Sequence, residues 1–190
     1  MCGRYSLAPE ESEDIMRIVR EIEGRFGAGS VTTGEIRPTN AAPILVAEGP
    51  SALAPRPVRW GFPGFQGKGV IINAKGETAP DKPMFRASLL ERRCVVPSTG
   101  FYEWDKSKRK YLFRSPGSSA LYLAGLWNTF AREERFVILT TAPNETVSDI
   151  HDRMPVLLSP GELDAWLHDP RMAAAKLTVQ QRDVRCELVS

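Results

Sequence analysis

The sequence predicts an α+β fold, in which a curved or barrel-like, mainly antiparallel β-sheet is flanked by short helices. Most segments after the first 30 residues are short, rich in β-branched or aromatic residues, and separated by Gly and Pro. These segments do not alternate regularly with helices, as the βαβ units of a parallel sheet would. We therefore expect one domain that spans residues 1–190.

The first predicted element is an amphipathic helix from Pro9 to Phe26. Acidic residues occupy its first turns, and Gly27 can end it. Its apolar residues repeat at helical spacing, namely Ile15, Ile18, Val19, Ile22 and Phe26.

The predicted strands follow the helix. They are Pro43 to Ala47, Pro57 to Phe62, Val70 to Ala74, Cys94 to Trp104, Tyr111 to Arg114, Ala120 to Phe130 and Arg135 to Thr141. Short helices are expected at Met84 to Arg92, Glu145 to Ile150 and Pro160 to His168, with a helix and then a strand from Arg171 to Val189.

Size and cysteine content narrow the class of protein. A chain of 190 residues with 42% hydrophobic content can bury a core without disulfides or metals. Three widely spaced cysteines, Cys2, Cys94 and Cys186, argue against a disulfide framework and against a paired-cysteine zinc site. We therefore expect a cytoplasmic protein with no metal and no cofactor.

The sequence contains neither a secretory signal nor an apolar stretch of the roughly 18 residues needed for a membrane span.

Net charge is only +2, so charge alone does not identify a nucleic-acid-binding protein. Basic residues crowd the middle of the chain, however, where they form either a phosphate-facing surface or a solvated loop. They are Arg86, Arg92, Arg93, Lys106, Lys108, Arg109 and Lys110.

The amino end carries the most specific chemistry. Removal of Met1 would make Cys2 the first residue and place a thiol and a free amine on the same two-carbon unit. Such an aminothiol can condense with an aldehyde through its amine and then close a thiazolidine ring through its sulfur. Reference pKa values of about 7.7–8.0 for the amine and about 8.5 for the thiol leave both nucleophiles available near neutrality. The residues themselves do not identify the aldehyde.

Two polar residues lie in apolar surroundings and each allows two interpretations. Asn73 follows an apolar run, where its amide either caps a strand or holds a reacting group. Glu103 lies among aromatic residues, which would desolvate its carboxylate and raise its pKa towards the range of a general acid or base. The alternative for Glu103 is an exposed carboxylate on a strand.

The two histidines also differ. His151 lies in a loop beside Asp152 and Arg153, where it is either a proton shuttle or a surface residue without a role. His168, at the end of a predicted helix, fits a simple electrostatic role there. The segment from Trp60 to Pro63 offers either an exposed aromatic platform for an unstacked base or part of the core.

Five segments together are more specific than any one of them. They are Met1–Tyr5, Ile72–Thr78, Val96–Trp104, Ala124–Trp127 and Ile150–Pro155. In sequence and in order they resemble the SOS response-associated peptidase (SRAP) family, and the resemblance extends from Cys2 to about Trp166.

The resemblance implies that the chain binds single-stranded DNA at abasic sites and traps the ring-opened deoxyribose aldehyde on Cys2 as a thiazolidine. It implies that Asn73 orients the Cys2 amine and the sugar, and that Glu103 transfers protons. It also implies that His151 assists sugar-ring opening and reversal of the link, and that Thr140 is a further contact. Removal of Met1 by the protein itself and a weak lyase activity are further implications.

An abasic site has no base to read, so we expect binding through phosphates and stacking, with slight sequence preference, by a monomer. The resemblance places along the strand path Arg4, Pro38, Thr39, Trp60, Phe62, Lys75, Phe85, Arg86 and Arg153. It also implies that Trp60, Phe62 and Pro63 wedge against bases beside the lesion.

The chain departs from the family pattern at two places. Lys75 and Gly76 stand where arginine and alanine are common, and lysine lacks the guanidinium fork that grips a phosphate. Glu35 stands where an amide is common, and its carboxylate either repels a phosphate or is neutralised by Arg37.

Three rival functions are weighed against this one. Class II glutamine amidotransferases also begin Met-Cys-Gly, but the chain lacks the expected histidine-asparagine-glycine type of motif and room for a synthetase domain. The second is a non-catalytic single-strand binder in which Cys2 is incidental, and comparing intact with abasic oligonucleotides would separate it from covalent capture. A metal protein built on the three cysteines and His151 lacks the ligand spacing.

Overall fold

The structure is a computed structural model that describes residues 2–50 and 52–189, and β-strands form most of its regular secondary structure. Its strands in chain order are β1 (Arg4–Leu7), β2 (Gly34–Ile36), β3 (Ala41–Glu48), β4 (Ala52–Trp60), β5 (Phe62–Pro63), β6 (Val70–Ile71), β7 (Asn73–Lys75), β8 (Arg93–Ser98), β9 (Gly100–Trp104), β10 (Lys110–Arg114), β11 (Leu121–Phe130), β12 (Glu133–Thr141), β13 (Met154–Pro155), β14 (Leu157–Leu158) and β15 (Arg185–Leu188). Its α-helices are α1 (Glu13–Phe26), α2 (Pro83–Glu91), α3 (Glu145–Ser148), α4 (Leu163–His168) and α5 (Pro170–Lys176).

A closed five-stranded barrel forms the centre of the fold. Its strands follow the cyclic order β12, β4, β3, β8 and β11, and the pairing of β11 with β12 closes the ring. Every pairing in the ring is antiparallel except that of β12 with β4. Apolar side chains fill the interior, because closing a sheet of this size leaves room only for side chains. The predicted barrel-like, mainly antiparallel α+β fold is confirmed.

A second sheet covers one side of the barrel, in the order β15, β10, β9, β1 and β2. Side chains on β9 alternate between its two faces, as the pleat of a strand requires. Phe101 and Glu103 are buried, whereas Tyr102 and Trp104 are only half-buried. This alternation turns the Glu103 carboxyl towards the interior.

Three predicted strands are divided in the structure, and one of them, Pro57 to Phe62, is shared between β4 and β5. Cys94 to Trp104 was predicted as one strand, but β8 belongs to the barrel and β9 to the second sheet. The chain changes sheet at Thr99, whose backbone N–H donates to Ser6 O at 2.8 Å and whose hydroxyl lies 2.9 Å from Ser6 Oγ. The predicted strand Val70 to Ala74 is likewise divided, since β6 pairs with β5 while β7 joins β12.

The predicted first helix is confirmed, with α1 beginning at Glu13 after a single 3-10 turn. Ser12 caps it by accepting a hydrogen bond from Ile15 N. The buried face packs against β3 and β4 and consists of Ile15, Ile18, Val19 and Ile22. Phe26 is 50% exposed, so its predicted place in the apolar face is wrong.

Arg93 joins two helices to the barrel. Its buried guanidinium donates to Leu89 O and Leu90 O at the end of α2, and to Trp166 O and Leu167 O in α4. A cation is favourable there because the carbonyls at a helix end carry partial negative charge. Arg93 therefore does not belong to the phosphate-facing surface that the basic residues suggested.

Within the described residues, no helix combines the length and the apolar character needed to cross a bilayer.

Candidate functional site

Cys2 and Asn73 are joined by a hydrogen bond. Cys2 is buried just before β1, and Asn73 is the first residue of β7, which pairs in parallel with β12. The Asn73 Nδ2 group donates to Cys2 O at 2.9 Å. The Asn73 side chain therefore holds the backbone of Cys2.

The Cys2 thiol lies in an apolar environment and donates to Arg4 O at 3.6 Å. Burial raises its pKa well above the ordinary thiol value, and the negative charge of Glu103 raises it further. The sulfur is therefore a neutral thiol near pH 7. Its reactivity as a thiolate nucleophile is correspondingly low.

Glu103 is 2% exposed, so the alternative of an exposed strand carboxylate is wrong. Burial raises the pKa of its carboxyl group to about 7, and the negative charge of Asp152 acts in the same direction. A carboxyl group with this pKa exists in both protonation states near neutrality, and it can therefore donate and accept protons there.

His151 lies three residues after the end of α3, whose capping residue Asn144 accepts a hydrogen bond from Val147 N at 3.1 Å. The backbone N–H of His151 donates to Val147 O at 2.8 Å, which fixes the start of the loop. Its ring atom Nε2 lies 3.7 Å from Glu103 Oε2. Burial lowers the pKa of the ring, so the imidazole is mostly neutral at pH 7.

These four groups come from four distant parts of the chain and meet at one place. The amide of Asn73 contacts the Cys2 backbone, the charge of Glu103 acts on the Cys2 thiol, and His151 lies beside Glu103. The site therefore combines a buried sulfur, an orienting amide and two groups able to exchange protons near neutral pH.

Arg153 is held inside the protein rather than extended into solvent. Its guanidinium donates to both carboxylate oxygens of Glu77, at 2.7 and 2.9 Å, and to Thr140 O at 2.7 Å. Thr140 is fully buried, and its hydroxyl lies 3.3 Å from the same guanidinium. The hydroxyl of Thr140 therefore contacts Arg153 inside the protein, and its burial does not support the expected direct contact with DNA.

The predicted aromatic platform is wrong. Trp60 and Phe62 are fully buried, and Phe85 is 4% exposed. Trp60 lies between Tyr5 and Phe136, with ring centroids 5.3 and 6.2 Å away. These rings belong to the buried hydrophobic core, so their side chains cannot stack on a base in this conformation.

Phe65 is the aromatic residue that the sequence reasoning missed. It lies in the loop between β5 and β6 and is 81% exposed. Gly64 permits the tight return of this loop, because a Cβ atom there would lie 2.0 Å from Lys68 O. An aromatic residue set among the glycines at positions 64, 67 and 69 was the available sequence signal.

The other residues predicted along the strand path are accessible to different degrees. Thr39, Lys75 and Arg86 are exposed, and Pro38 and Pro63 are half-buried. Lys75 ends β7, two residues after Asn73.

Glu35 is paired with three basic side chains. It accepts hydrogen bonds from Arg4 at 2.6 Å, from Arg37 at 3.2 Å and from Lys110. Burial alone would raise the pKa of its carboxyl group, but the bonds from Lys110 and Arg4 lower it overall. The carboxylate is therefore neutralised, and Arg37 is one of three residues that do so.

Comparison with known proteins identifies relatives along the whole chain. A family model described as "SOS response associated peptidase (SRAP)" matches residues 1–190. Abasic site processing protein YoaM of Bacillus subtilis is 33% identical over 183 residues, which cover 88% of this chain and 79% of YoaM. Abasic site processing protein YedK of Escherichia coli is 31% identical over 180 residues, with coverage of 88% and 79%.

Solved structures share the fold. A crystal structure of a protein from Bacteroides thetaiotaomicron matches with a TM-score of 0.83 at 20% identity, covering all of this chain and 92% of that one. A protein from Bordetella bronchiseptica matches with a TM-score of 0.77 at 20% identity, with 100% of both chains covered.

Proposed function

Because this chain belongs to the SOS response-associated peptidase (SRAP) family, we propose that it processes abasic sites in DNA by capturing their aldehyde covalently on Cys2. The product is a thiazolidine that joins the protein to the damaged strand and shields the lesion. The observation that carries this proposal is the Asn73 amide bonded to the Cys2 backbone in a site that also holds a carboxyl group with a pKa of about 7.

The reaction begins after the peptide bond between Met1 and Cys2 has been hydrolysed by one water molecule. Met1 lies outside the described residues. Self-cleavage by the protein and cleavage by a methionine aminopeptidase would both expose the same amine. We propose that Asn73 then holds the Cys2 backbone in the orientation that brings this amine to the sugar.

The unprotonated amine attacks C1′ of the open sugar and forms a carbinolamine. Protonated Glu103 donates a proton to the leaving hydroxyl, which departs as water, and an imine forms. The Cys2 sulfur then adds to C1′ and closes the five-membered ring, while its proton passes to the imine nitrogen through nearby groups. One water is released in total, and no oxidant or reductant is needed.

The raised thiol pKa fits this order of events. A protonated thiol does not compete with the amine for the aldehyde, so carbon–nitrogen bond formation comes first. Closure of the ring then removes the imine, which would otherwise acidify C2′ and lead to strand cleavage by β-elimination. We therefore expect a weak lyase activity, because some of the imine undergoes β-elimination before the ring closes.

His151 is assigned to the sugar ring and to reversal. The abasic sugar exists mostly as a closed hemiacetal, and its opening requires proton transfer at the hydroxyl and ring oxygens. A mostly neutral imidazole beside a carboxyl group can provide that transfer near neutral pH. The same pair can return the proton when the thiazolidine reopens.

The proposed partner is single-stranded DNA that contains an abasic site, bound by a monomer. Exposed Lys75 and Arg86 are available for phosphates, and exposed Phe65 is available for stacking on a neighbouring base. Neither kind of contact reads a base edge, so sequence preference should be slight.

A glutamine amidotransferase-like activity is the main alternative. That chemistry needs a thiolate as the attacking group. Burial instead raises the pKa of the Cys2 thiol and so keeps the sulfur protonated. Release of ammonia from glutamine at a rate comparable with DNA capture would favour this alternative.

The central experiment compares Cys2→Ala with Cys186→Ala, because Cys186 is an exposed free cysteine in β15. We expect Cys2→Ala to abolish heat-stable crosslinking to abasic single-stranded DNA while most noncovalent affinity remains. Cys186→Ala should crosslink like the wild type. Mass spectrometry before and after incubation with intact and abasic oligonucleotides reports both Met1 loss and adduct mass. Full crosslinking by Cys2→Ala would overturn the mechanism.

A further inference from the structure

We propose that Glu77 is a positioning residue for His151: by clamping Arg153, it fixes which ring nitrogen of His151 carries the proton. The catalytic value of this arrangement rests on the proposed function, but the arrangement itself can be measured on the protein alone.

The clamp is an ion pair with two hydrogen bonds. Both terminal nitrogens of Arg153 reach Glu77, and one of them also donates to Thr140 O at 2.7 Å. Paired contacts of this kind restrict a guanidinium more strongly than a single bond does. The hydrogen bond from Arg153 lowers the pKa of the Glu77 carboxyl group, so the pair persists into mildly acidic solution.

The backbone of the clamped residue contacts the histidine ring. Arg153 N lies 3.1 Å from His151 Nδ1 and donates to it. A backbone N–H can only donate, so Nδ1 must accept with its lone pair. In the neutral ring the proton then lies on Nε2, the atom that is 3.7 Å from Glu103 Oε2.

Two other groups near Nδ1 favour the opposite tautomer. Asp152 Oδ1 lies 3.1 Å from Nδ1, and Arg153 O lies 3.3 Å from it. Both are acceptors, and either would attract a proton onto Nδ1 if the Arg153 amide moved away. The position of the Arg153 backbone therefore decides between the two neutral forms of the His151 ring. Glu77 restricts that position because it binds the guanidinium of the same residue.

The tautomer matters for proton exchange with Glu103. With the proton on Nε2, the ring donates towards the carboxylate form of Glu103. With the proton on Nδ1, a lone pair would face the carboxylate instead, and this orientation is repulsive. Loss of the clamp should therefore weaken the pairing of His151 with Glu103 without removing either group.

The test uses Glu77→Gln and Glu77→Ala, with Glu11→Gln as the matched control. Glu11 also accepts two hydrogen bonds from one arginine, Arg114, and its side chain is 42% exposed compared with 44% for Glu77. Loss of an ion pair at such exposure should have little effect on folding, and thermal melting verifies it.

Nitrogen-15 NMR of the imidazole rings, recorded above the ring pKa, reports the tautomer directly. The chain has only two histidines, so a His168→Gln variant assigns both signals. We expect Nε2-protonated His151 in the wild type and in Glu11→Gln, with a measurable population protonated on Nδ1 in both Glu77 variants. Arg153→Lys, which keeps the backbone amide but loses the fork, should shift the population in the same direction.

Crosslinking provides the second readout. We expect the Glu77 variants to crosslink roughly 10-fold more slowly, less than the roughly 100-fold or larger loss that follows removal of a proton-transfer group. Unchanged His151 tautomers in both Glu77 variants would overturn the proposal, as would Nδ1 protonation in the wild type. Absence of crosslinking by the wild type would instead overturn the proposed function and leave the NMR result standing.

Discussion

His151 Nε2 lies 3.7 Å from Glu103 Oε2, although 48 positions separate the two residues in the chain. Burial lowers the pKa of the ring and raises that of the carboxyl group to about 7. The two shifts bring a mostly neutral imidazole and a half-ionised carboxyl group together at neutral pH. This pairing is the basis of the first two predictions.

Glu103→Gln should slow crosslinking by roughly 100-fold or more, because an amide cannot exchange a proton with the carbinolamine. The wild-type rate should decline above about pH 7, where Glu103 loses its proton, and the variant should lack this decline. Rates measured on denaturing gels from pH 5 to 8 check both points. Exposed Glu21→Gln is the control, and wild-type rates in Glu103→Gln would contradict the assigned role.

Glu103 should also make stability depend on pH. Its pKa is raised from 4.5 to about 7 in the folded protein, so the folded state binds the proton more tightly than the unfolded chain. This contribution is complete below pH 4.5 and is lost as the pH rises through 7. The free energy of unfolding of the wild type, relative to Glu103→Gln, should fall by up to roughly 3 kcal/mol between pH 4.5 and 8. Urea unfolding at the two pH values measures it, and a constant difference would exclude the shift.

Phe65→Ala should weaken noncovalent binding to abasic single-stranded DNA by roughly 1 to 3 kcal/mol, the usual loss of one base–aromatic stack. The ring is 81% exposed, so the melting temperature should hardly change. Phe26→Ala, at a half-exposed ring that ends α1, is the matched control. Fluorescence anisotropy measures the affinity, and equal binding by the two variants would remove Phe65 from the interface.

Arg93→Met should lower the free energy of unfolding by about 3 kcal/mol or more, because it leaves four carbonyls without their buried donor. Arg93→Lys should lower the free energy of unfolding less, since lysine keeps the positive charge but lacks the several donors of the guanidinium group. Arg20→Met, on the exposed face of α1, should stay within about 0.5 kcal/mol of the wild type in urea unfolding. A similar effect of Arg93→Met and Arg20→Met would show that the buried guanidinium is not structural.

Sequence patterns predicted a helix or strand well when the pattern lay within that helix or strand. The spacing of Ile15, Ile18, Val19 and Ile22 predicts α1, and the aromatic residues around Glu103 predict a raised carboxyl pKa. The helix signal depends on neighbours within a few residues, whereas the burial that raises the Glu103 pKa comes from the tertiary structure, which also brings the charge of Asp152 near. The division of Cys94 to Trp104 into two strands was not predictable in this way, because it depends on a contact between Thr99 and Ser6 across 93 positions.

The aromatic residues also show the difference between what a sequence pattern predicts and what the folded structure buries. Trp60 and Phe65 both lie near glycine in the sequence, but only Trp60 was predicted to stack on a base. The folded protein buries Trp60 between Tyr5 of the second sheet and Phe136 of the barrel, and it leaves Phe65 exposed. Glycines at positions 64, 67 and 69 mark Phe65 as part of a loop, but the burial of Trp60 depends on contacts with distant residues.

The sequence by itself determined the chemical groups: a thiol at position 2, an amide, a carboxyl group and an imidazole, each in a recognisable motif. Only the tertiary structure decided that Asn73 bonds to Cys2, that His151 faces Glu103, and that Arg153 is held by Glu77. The physical reason is that hydrogen bonds and desolvation act over a few ångströms, and only the folded barrel brings residues so distant along the chain within that range.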